Sequence, residues 1–187
     1  MMRRVPLLLL LLVLPSYVVA IELVTNGGFE DVLPPAWQDE FVGAATSVTR
    51  STGYDGDPDY EVLVEKGTGN GQAKLSQAIV IPSIDVVFSV NAKVQVSVSV
   101  GPWAAAGVAL HYEDHFGNVR GTTVILRKTS ACPWSDGDTF HMILAPDEDW
   151  NSYGFNVADE LVNLAGVDPL AIRQVRVSLF GEVGGDC

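Results

Sequence analysis

Cysteine, histidine and positive charge are all scarce in this chain, and each shortage excludes something. The 187 residues hold two cysteines, three histidines and eleven Lys or Arg against 23 Asp or Glu. Two cysteines cannot make the dense disulfide framework of a small stapled domain. Cys132 and Cys187 leave three readings open: one bridge, two free thiols, or a link to another chain. With no third cysteine and no clustered histidine, a zinc-type site is not expected. His111 and His115 flank Asp114, but they fall on a strand and near a turn, so helical ligand spacing is not expected there either. His141 stands alone. A formal charge of −12 repels nucleic acid and anionic membranes. No Asn-x-Ser/Thr sequon occurs, so ordinary N-glycosylation is not expected. No apolar run beyond the N-terminus is long enough to span a bilayer.

What is present begins with a leader. Arg3 and Arg4 precede the apolar run Leu7 to Leu14, and Val18-Val19-Ala20 places small residues where a signal peptidase reads. The expectation is a signal peptide over 1–20 and a single domain over 21–187, secreted or displayed at a cell surface. An uncleaved N-terminal anchor is the alternative. Loss of Arg3 and Arg4 takes the charge from −12 to about −14.

The rest of the sequence has the period of strands. From Val86 to Val100, apolar residues alternate with Val87, Ser89, Asn91, Lys93, Gln95, Ser97 and Ser99, so one face is buried and the other wet. This run is one long strand or two joined near Asn91. Further strands are expected at 60–65, 73–81, 106–113, 122–127, 140–144, 153–157 and 172–180. Phe116-Gly117-Asn118 is a turn signal. Ala158 to Ala165 reads as a short helix capped by Asn156 or Asp159. Many short strands with turn punctuation predict an all-β, antiparallel β-sandwich of jelly-roll type.

Four stretches carry a family resemblance. They are Leu23-Val24-Thr25-Asn26-Gly27-Gly28-Phe29-Glu30 with Trp37; Gln72 to Gln77 with Ile79, Ile81 and Pro82; Leu110 to Asp114 before Gly117-Asn118; and Trp150 with Phe155 to Val157, then Ile172 to Gly181. In this order they resemble carbohydrate-binding modules of the family 4/9 type. The resemblance implies a galactose-binding-like jelly roll, often found beside glycoside hydrolases or on cell-surface proteins. It also implies a structural calcium site near the first strand, with the Thr25 and Asn26 carbonyls and Glu30 as ligands. The other reading of Glu30 is a turn cap or a solvated carboxylate. Two departures stand out. The family's closing strand with its acidic pair would begin where Gly184-Gly185-Asp186-Cys187 stands, so the chain is a fragment or the fold is completed differently. The family's sugar-stacking aromatics have no secure counterparts.

Candidate chemistry follows from residue type and setting. An exposed aromatic ring offers a flat partner to the C–H face of a sugar. Trp103 (after Gly101-Pro102) and Trp134 (after Cys132-Pro133) sit in loop sequence, and Tyr112 ends a strand where its ring would reach the rim. These three are the expected carbohydrate contacts, with Tyr54 and Tyr60 as further aromatics. Trp37 and Trp150 are assigned to the core. Each candidate could instead pack over a sheet edge. Asp55, Asp57 and Asp59 alternate as in calcium loops but lack the downstream EF-hand residues; a solvated acidic loop is the simpler reading. Asp147-Glu148-Asp149 lies in loop sequence rather than on a strand floor, and no nucleophile motif occurs.

The leading expectation is therefore a secreted, non-catalytic module that binds a neutral polysaccharide, with calcium as a structural ion. The wet face of the 86–100 segment is a further candidate platform. The alternative is a structural or protein-binding cell-surface domain of the same fold, in which an unfinished sheet edge exchanges a strand with another chain. A small jelly-roll glycosidase is the third reading.

Overall fold

The computed structural model describes residues 22–53, 58–97 and 103–184. The expected leader, Tyr54 to Asp57, Asp186 and Cys187 lie outside the described residues. Among the described residues ten strands carry the fold: β1 (Gln38–Val42), β2 (Thr46–Thr52), β3 (Tyr60–Lys66), β4 (Gly71–Val80), β5 (Val87–Lys93), β6 (Trp103–Glu113), β7 (Val119–Lys128), β8 (Phe140–Leu144), β9 (Trp150–Asn156) and β10 (Gln174–Gly184). One helical turn, α1 (Val157–Glu160), follows β9, and Asn156 caps it by accepting from the Ala158 N–H at 2.8 Å. Among the described residues no helix is long and apolar enough to cross a membrane.

The protein is an all-β sandwich. One layer is a six-stranded sheet in the order β1-β4-β10-β6-β7-β8. The facing layer consists of two separate pairs, β2–β3 and β5–β9. The core between them follows from alternation. Leu75, Val108, Leu110, Tyr112, Val175 and Val177 point inward from the large sheet, and Val48, Val62, Val64, Phe88, Val90, Tyr153 and Phe155 pack against them from the facing pairs. Trp37 is 3% exposed in this core, as its sequence setting predicts.

Pairing is antiparallel throughout except between β7 and β8, which run parallel. A parallel neighbour needs a crossover of about a dozen residues, and the segment 129–139 supplies it. That crossover lies over the outer face of the large sheet and gives it a second apolar cluster. Trp103, Ala105, Ala109, Val124, Leu126 and Cys132 are buried there, with Trp134, Phe140, Met142 and Phe180 packed against them. Strands β6 and β7 are therefore buried on both faces, which β6 shows as an apolar run from Trp103 to Leu110 and β7 only as Val124-Ile125-Leu126.

The segment from Val86 behaves as its alternation predicts, with Phe88, Val90, Ala92, Val94 and Val96 turned in and the residues between them exposed. Its regular strand ends at Lys93, and residues 98–102 lie outside the described residues.

Candidate functional site: an exposed strand face beside an open cleft

The outer face of β5–β9 is a polar strip with an aromatic end. The register sets Lys93 opposite Trp150, Asn91 opposite Ser152, Ser89 opposite Gly154 and Val87 opposite Asn156. The inner residues of the same strands, Phe88 and Phe155, stack at 5.3 Å and fix the pair to the core. On the outer side, the Ser152 hydroxyl donates to Asn91 Oδ1 at 2.7 Å and Asn156 Nδ2 donates to Asp85 at 2.8 Å. Trp150 is 38% exposed at the end of this row. Its assignment to the core is corrected here: Trp150 alternates with the inward Tyr153 and Phe155 and so points the other way. A Cβ built at Gly154 would meet nothing nearer than 3.6 Å, so the centre of the strip is open.

Beside this strip lies a cleft of about 1270 Å³. Every residue from Asp59 to Thr68 and from Phe88 to Ser97 borders it. Both β3 and β5 border it along their length, and each has one strand partner among the described residues. Ala106, Val108, Val177 and Leu179 of β6 and β10 form its floor.

The sequence-predicted aromatics have a different role from the one expected. Trp103 and Trp134 are brought together, with ring centroids 5.7 Å apart, but on the opposite face of the large sheet from the core. Trp103 is the first residue of β6 and only 9% exposed. Its indole lies so close to Gly184 that a Cβ there would sit 1.8 Å from the ring. Trp134 also meets Phe180 at 5.8 Å and Phe140 at 6.0 Å, and the Lys128 ammonium donates to its carbonyl. These contacts hold the crossover onto the sheet. Tyr112 does not reach a rim: it is fully buried, and its hydroxyl donates to Thr123 Oγ1 at 3.1 Å. Burial pushes that hydroxyl well above the ordinary tyrosine range. A ring with no exposed surface cannot stack on a sugar.

The carbonyls of Thr25 and Glu30 and one oxygen of the Glu30 carboxylate already have partners. Gln77 grips Thr25 from both sides, its Oε1 accepting from the Thr25 N–H at 2.7 Å and its Nε2 donating to the Thr25 carbonyl at 2.8 Å. The Asn26 carbonyl accepts from the Trp37 indole at 3.1 Å. The Arg50 guanidinium donates to the carbonyls of Phe29 and Glu30 and lies 3.3 Å from the Tyr60 ring centroid. The Glu30 carboxylate accepts from the Tyr60 N–H at 3.3 Å. Calcium takes six to eight oxygens, whereas this turn is organised around a side-chain cation. Among the described residues no group of three or more His, Cys, Asp or Glu is placed to hold a metal.

The other candidates resolve into local structure. Asp114 closes the β6–β7 turn, accepting from the N–H groups of Phe116 and Asn118 at 2.8 and 3.1 Å and from Arg120 Nε at 3.0 Å. The Asn118 side-chain amide is the main cause holding its carboxyl well below the usual range. Asp147 likewise accepts from Asn151 at 2.8 Å within its own loop, and its carboxyl is lowered by that bond. His111 shares a 3.0 Å hydrogen bond with Thr122.

Sequence reasoning missed two buried polar groups. Glu160 of α1 is 6% exposed, accepts from Thr123 Oγ1 at 2.8 Å and from Asn163 at 3.1 Å, and pairs with His141. His141 therefore does not stand alone. Glu113 is 1% exposed and bound by Arg176 and Gln174, each at 2.7 Å. The only sequence signal for Glu160 is an acidic residue on the inward side of a short helix. Its partners come from strands 19 and 37 positions away.

No protein-family model and no curated protein sequence matches the chain. Among solved structures, the enzymatically active domain of bacteriophage CBA120 tailspike protein 4 is similar with a TM-score of 0.47 and 14% identity. That match covers 87% of this chain and about a fifth of the tailspike chain, 19%. It carries no inference about activity.

Proposed function

We propose that the protein is an exported, non-catalytic module that binds a neutral polysaccharide through the outer face of β5–β9. The observation that carries this reading is the row of Trp150, Asn91, Ser152 and Ser89. It sets a half-exposed indole in line with amide and hydroxyl groups on a rigid strand pair. The indole supplies a stacking surface for the apolar face of a pyranose, and the amide and hydroxyls bond its equatorial oxygens. The resemblance to family 4/9 modules and the leader over 1–20 support the same reading. The strip replaces the Trp103, Trp134 and Tyr112 set, whose rings serve packing. A strongly acidic chain favours neutral over acidic polymers at low salt.

Affinity electrophoresis tests this. Gels containing soluble glucan, xylan or mannan should retard the wild type, and Trp150→Ala should lose about 1–2 kcal/mol of binding, the range of interface residues that matter. Gly154→Ile, which has room for its Cβ, should block the strip without unfolding the protein. Absence of retardation in every gel, with folded protein, would refute glycan binding. Retardation unaffected by both variants would move the site elsewhere.

A further inference from the structure

We infer that the cleft between β3 and β5 is a slot for one extended strand of another polypeptide, with apolar residues at alternate positions and basic residues between them. Each of the two strands bordering it has a single strand partner, β2 for β3 and β9 for β5, among the described residues. Each therefore turns a row of backbone N–H and C=O groups toward the cleft from its opposite edge. Two free edges facing each other across one gap differ from an ordinary sheet margin, because an inserted strand pairs on both sides at once. Such paired edges are the main source of affinity in strand-addition recognition.

Size, floor and charge agree with this occupant. β3 and β5 are seven residues each. A strand of that length runs about 23 Å, and with spacings of about 4.8 Å between strands and 10 Å between layers it occupies roughly 1100 Å³. The cleft, at about 1270 Å³, is of that order. Its floor is apolar: half-buried Ala106 and Leu179 lie beside Val108 and Val177. An incoming strand would rest every second side chain there. The lining carries carboxylates of Glu22, Glu30 and Glu65 against the ammoniums of Lys66 and Lys93, while Asp59 and Glu61 border it with partners of their own and Glu182 stands in the field of Lys74. Lys66 is already turned onto the carbonyls of Ala44, Gly67, Thr68 and Gly69. The outward side chains of a matching strand are thus basic or neutral. One end of the slot is closed where Glu30 accepts from the Tyr60 N–H. This inference does not depend on glycan binding, although Ser89, Asn91, Lys93, Trp150 and Ser152 border the cleft too: a strand here would make β2, β3, β5 and β9 one continuous layer.

The test uses synthetic peptides of about nine residues added to the purified protein. One alternates Val with Lys and Thr; a second has the same composition without alternation; a third alternates Val with Glu and Thr; a fourth carries a central Pro in the first sequence. The first should bind by fluorescence anisotropy, raise the unfolding temperature and slow amide exchange along Val62–Lys66 and Val87–Lys93. It should bind about tenfold more tightly than the Glu peptide at low salt, and the gap should shrink as salt rises. The scrambled and Pro peptides should do none of this. Ala106→Trp, which fills the slot from its floor, should abolish peptide binding in protein shown by circular dichroism to be folded. Val64→Pro, which distorts one edge, is the second variant should that one misfold. Equal binding of alternating and scrambled peptides, or protection elsewhere than β3 and β5, would overturn the inference. A self-associated dimer whose cleft edges are already protected would overturn the choice of a foreign basic strand.

Discussion

Replacing Arg50 separates two ways of organising the first turn of the domain. Its guanidinium donates to the carbonyls of Phe29 and Glu30 and lies 3.3 Å from the Tyr60 ring centroid. Arg50→Met keeps most of the side-chain length and removes the charge and the donors. A charge-assisted hydrogen bond contributes about 1.5–3 kcal/mol when well shielded, and a cation–π contact about 0.5–1 at an exposed site. The bond to Phe29 is half-buried and counts at the lower end, the exposed one to Glu30 adds little, and with the cation–π contact the total is about 2–3 kcal/mol. In a domain of this size that lowers the melting temperature by roughly 5–10 °C. Scanning calorimetry reads it directly. Run with chelator and with added calcium, the same experiment tests calcium as a structural ion. With Arg50 supplying the positive charge, wild-type melting should not move with either addition. An unchanged melting temperature in Arg50→Met would refute the role given to the guanidinium. A wild-type protein destabilised by chelator would support calcium at Thr25 and Glu30.

Further outcomes follow from the packing, the charges and the expected leader. Trp134→Ala should cost about 2–3 kcal/mol, below the range of a fully buried tryptophan because the ring is half-buried; Gly184→Ala should displace Trp103 and show as a shift in tryptophan emission. Burial is the main cause that lowers the His111 pKa, against an opposing pull from Glu113, with Lys74 and Arg176 lowering it further. Neutral His111 is then favoured in the folded state, so its stabilisation is complete above about pH 6.5 and is lost as pH falls below that value. The fall in melting temperature from pH 7 to 5.5 should flatten in His111→Gln. Glu182, whose carboxyl burial raises, works in the opposite sense, so the comparison is made between variant and wild type at each pH. Mass spectrometry of exported protein should place the N-terminus at or within a few residues of Ile21, and intact Met1 on secreted material would contradict the leader.

Alternation made most of the fold legible. The segment from Val86, the inward Val108 and Leu110, and the inward Val175, Val177 and Leu179 all face as their period predicts. Two strands escaped notice for a physical reason. β1 is exposed at every position, so it has no apolar alternation, and β2 is rich in Ser and Thr with Val48 its only apolar residue. The site was harder to read because loop sequence was taken to mean an exposed ring. Trp134 does sit in a connection, but a parallel β7–β8 pair forces that connection across the sheet, where the ring finds a second apolar cluster. Trp150 shows the converse. The sequence reading assigns it to the core, while its parity relative to Phe155 in β9 places it outside. The expected strand begins at 153, so that parity, like the choice of inward face, needed the register with β5. The cleft was foreshadowed only as an unfinished sheet edge. That two such edges face one another depends on the packing of β2–β3 and β5–β9 against a common sheet, which no local pattern encodes.

The most direct measurement is an NMR titration of ¹⁵N-labelled protein with neutral oligosaccharides cut from whichever polysaccharide retards it. Binding on the β5–β9 face predicts shifts at the Trp150 indole N–H, the Asn91 side-chain amide and the backbone amides of Lys93 and Ser152, with those of Trp103 and Trp134 unmoved. Shifts centred on Trp103 and Trp134, or none in any oligosaccharide at millimolar concentration, would contradict it.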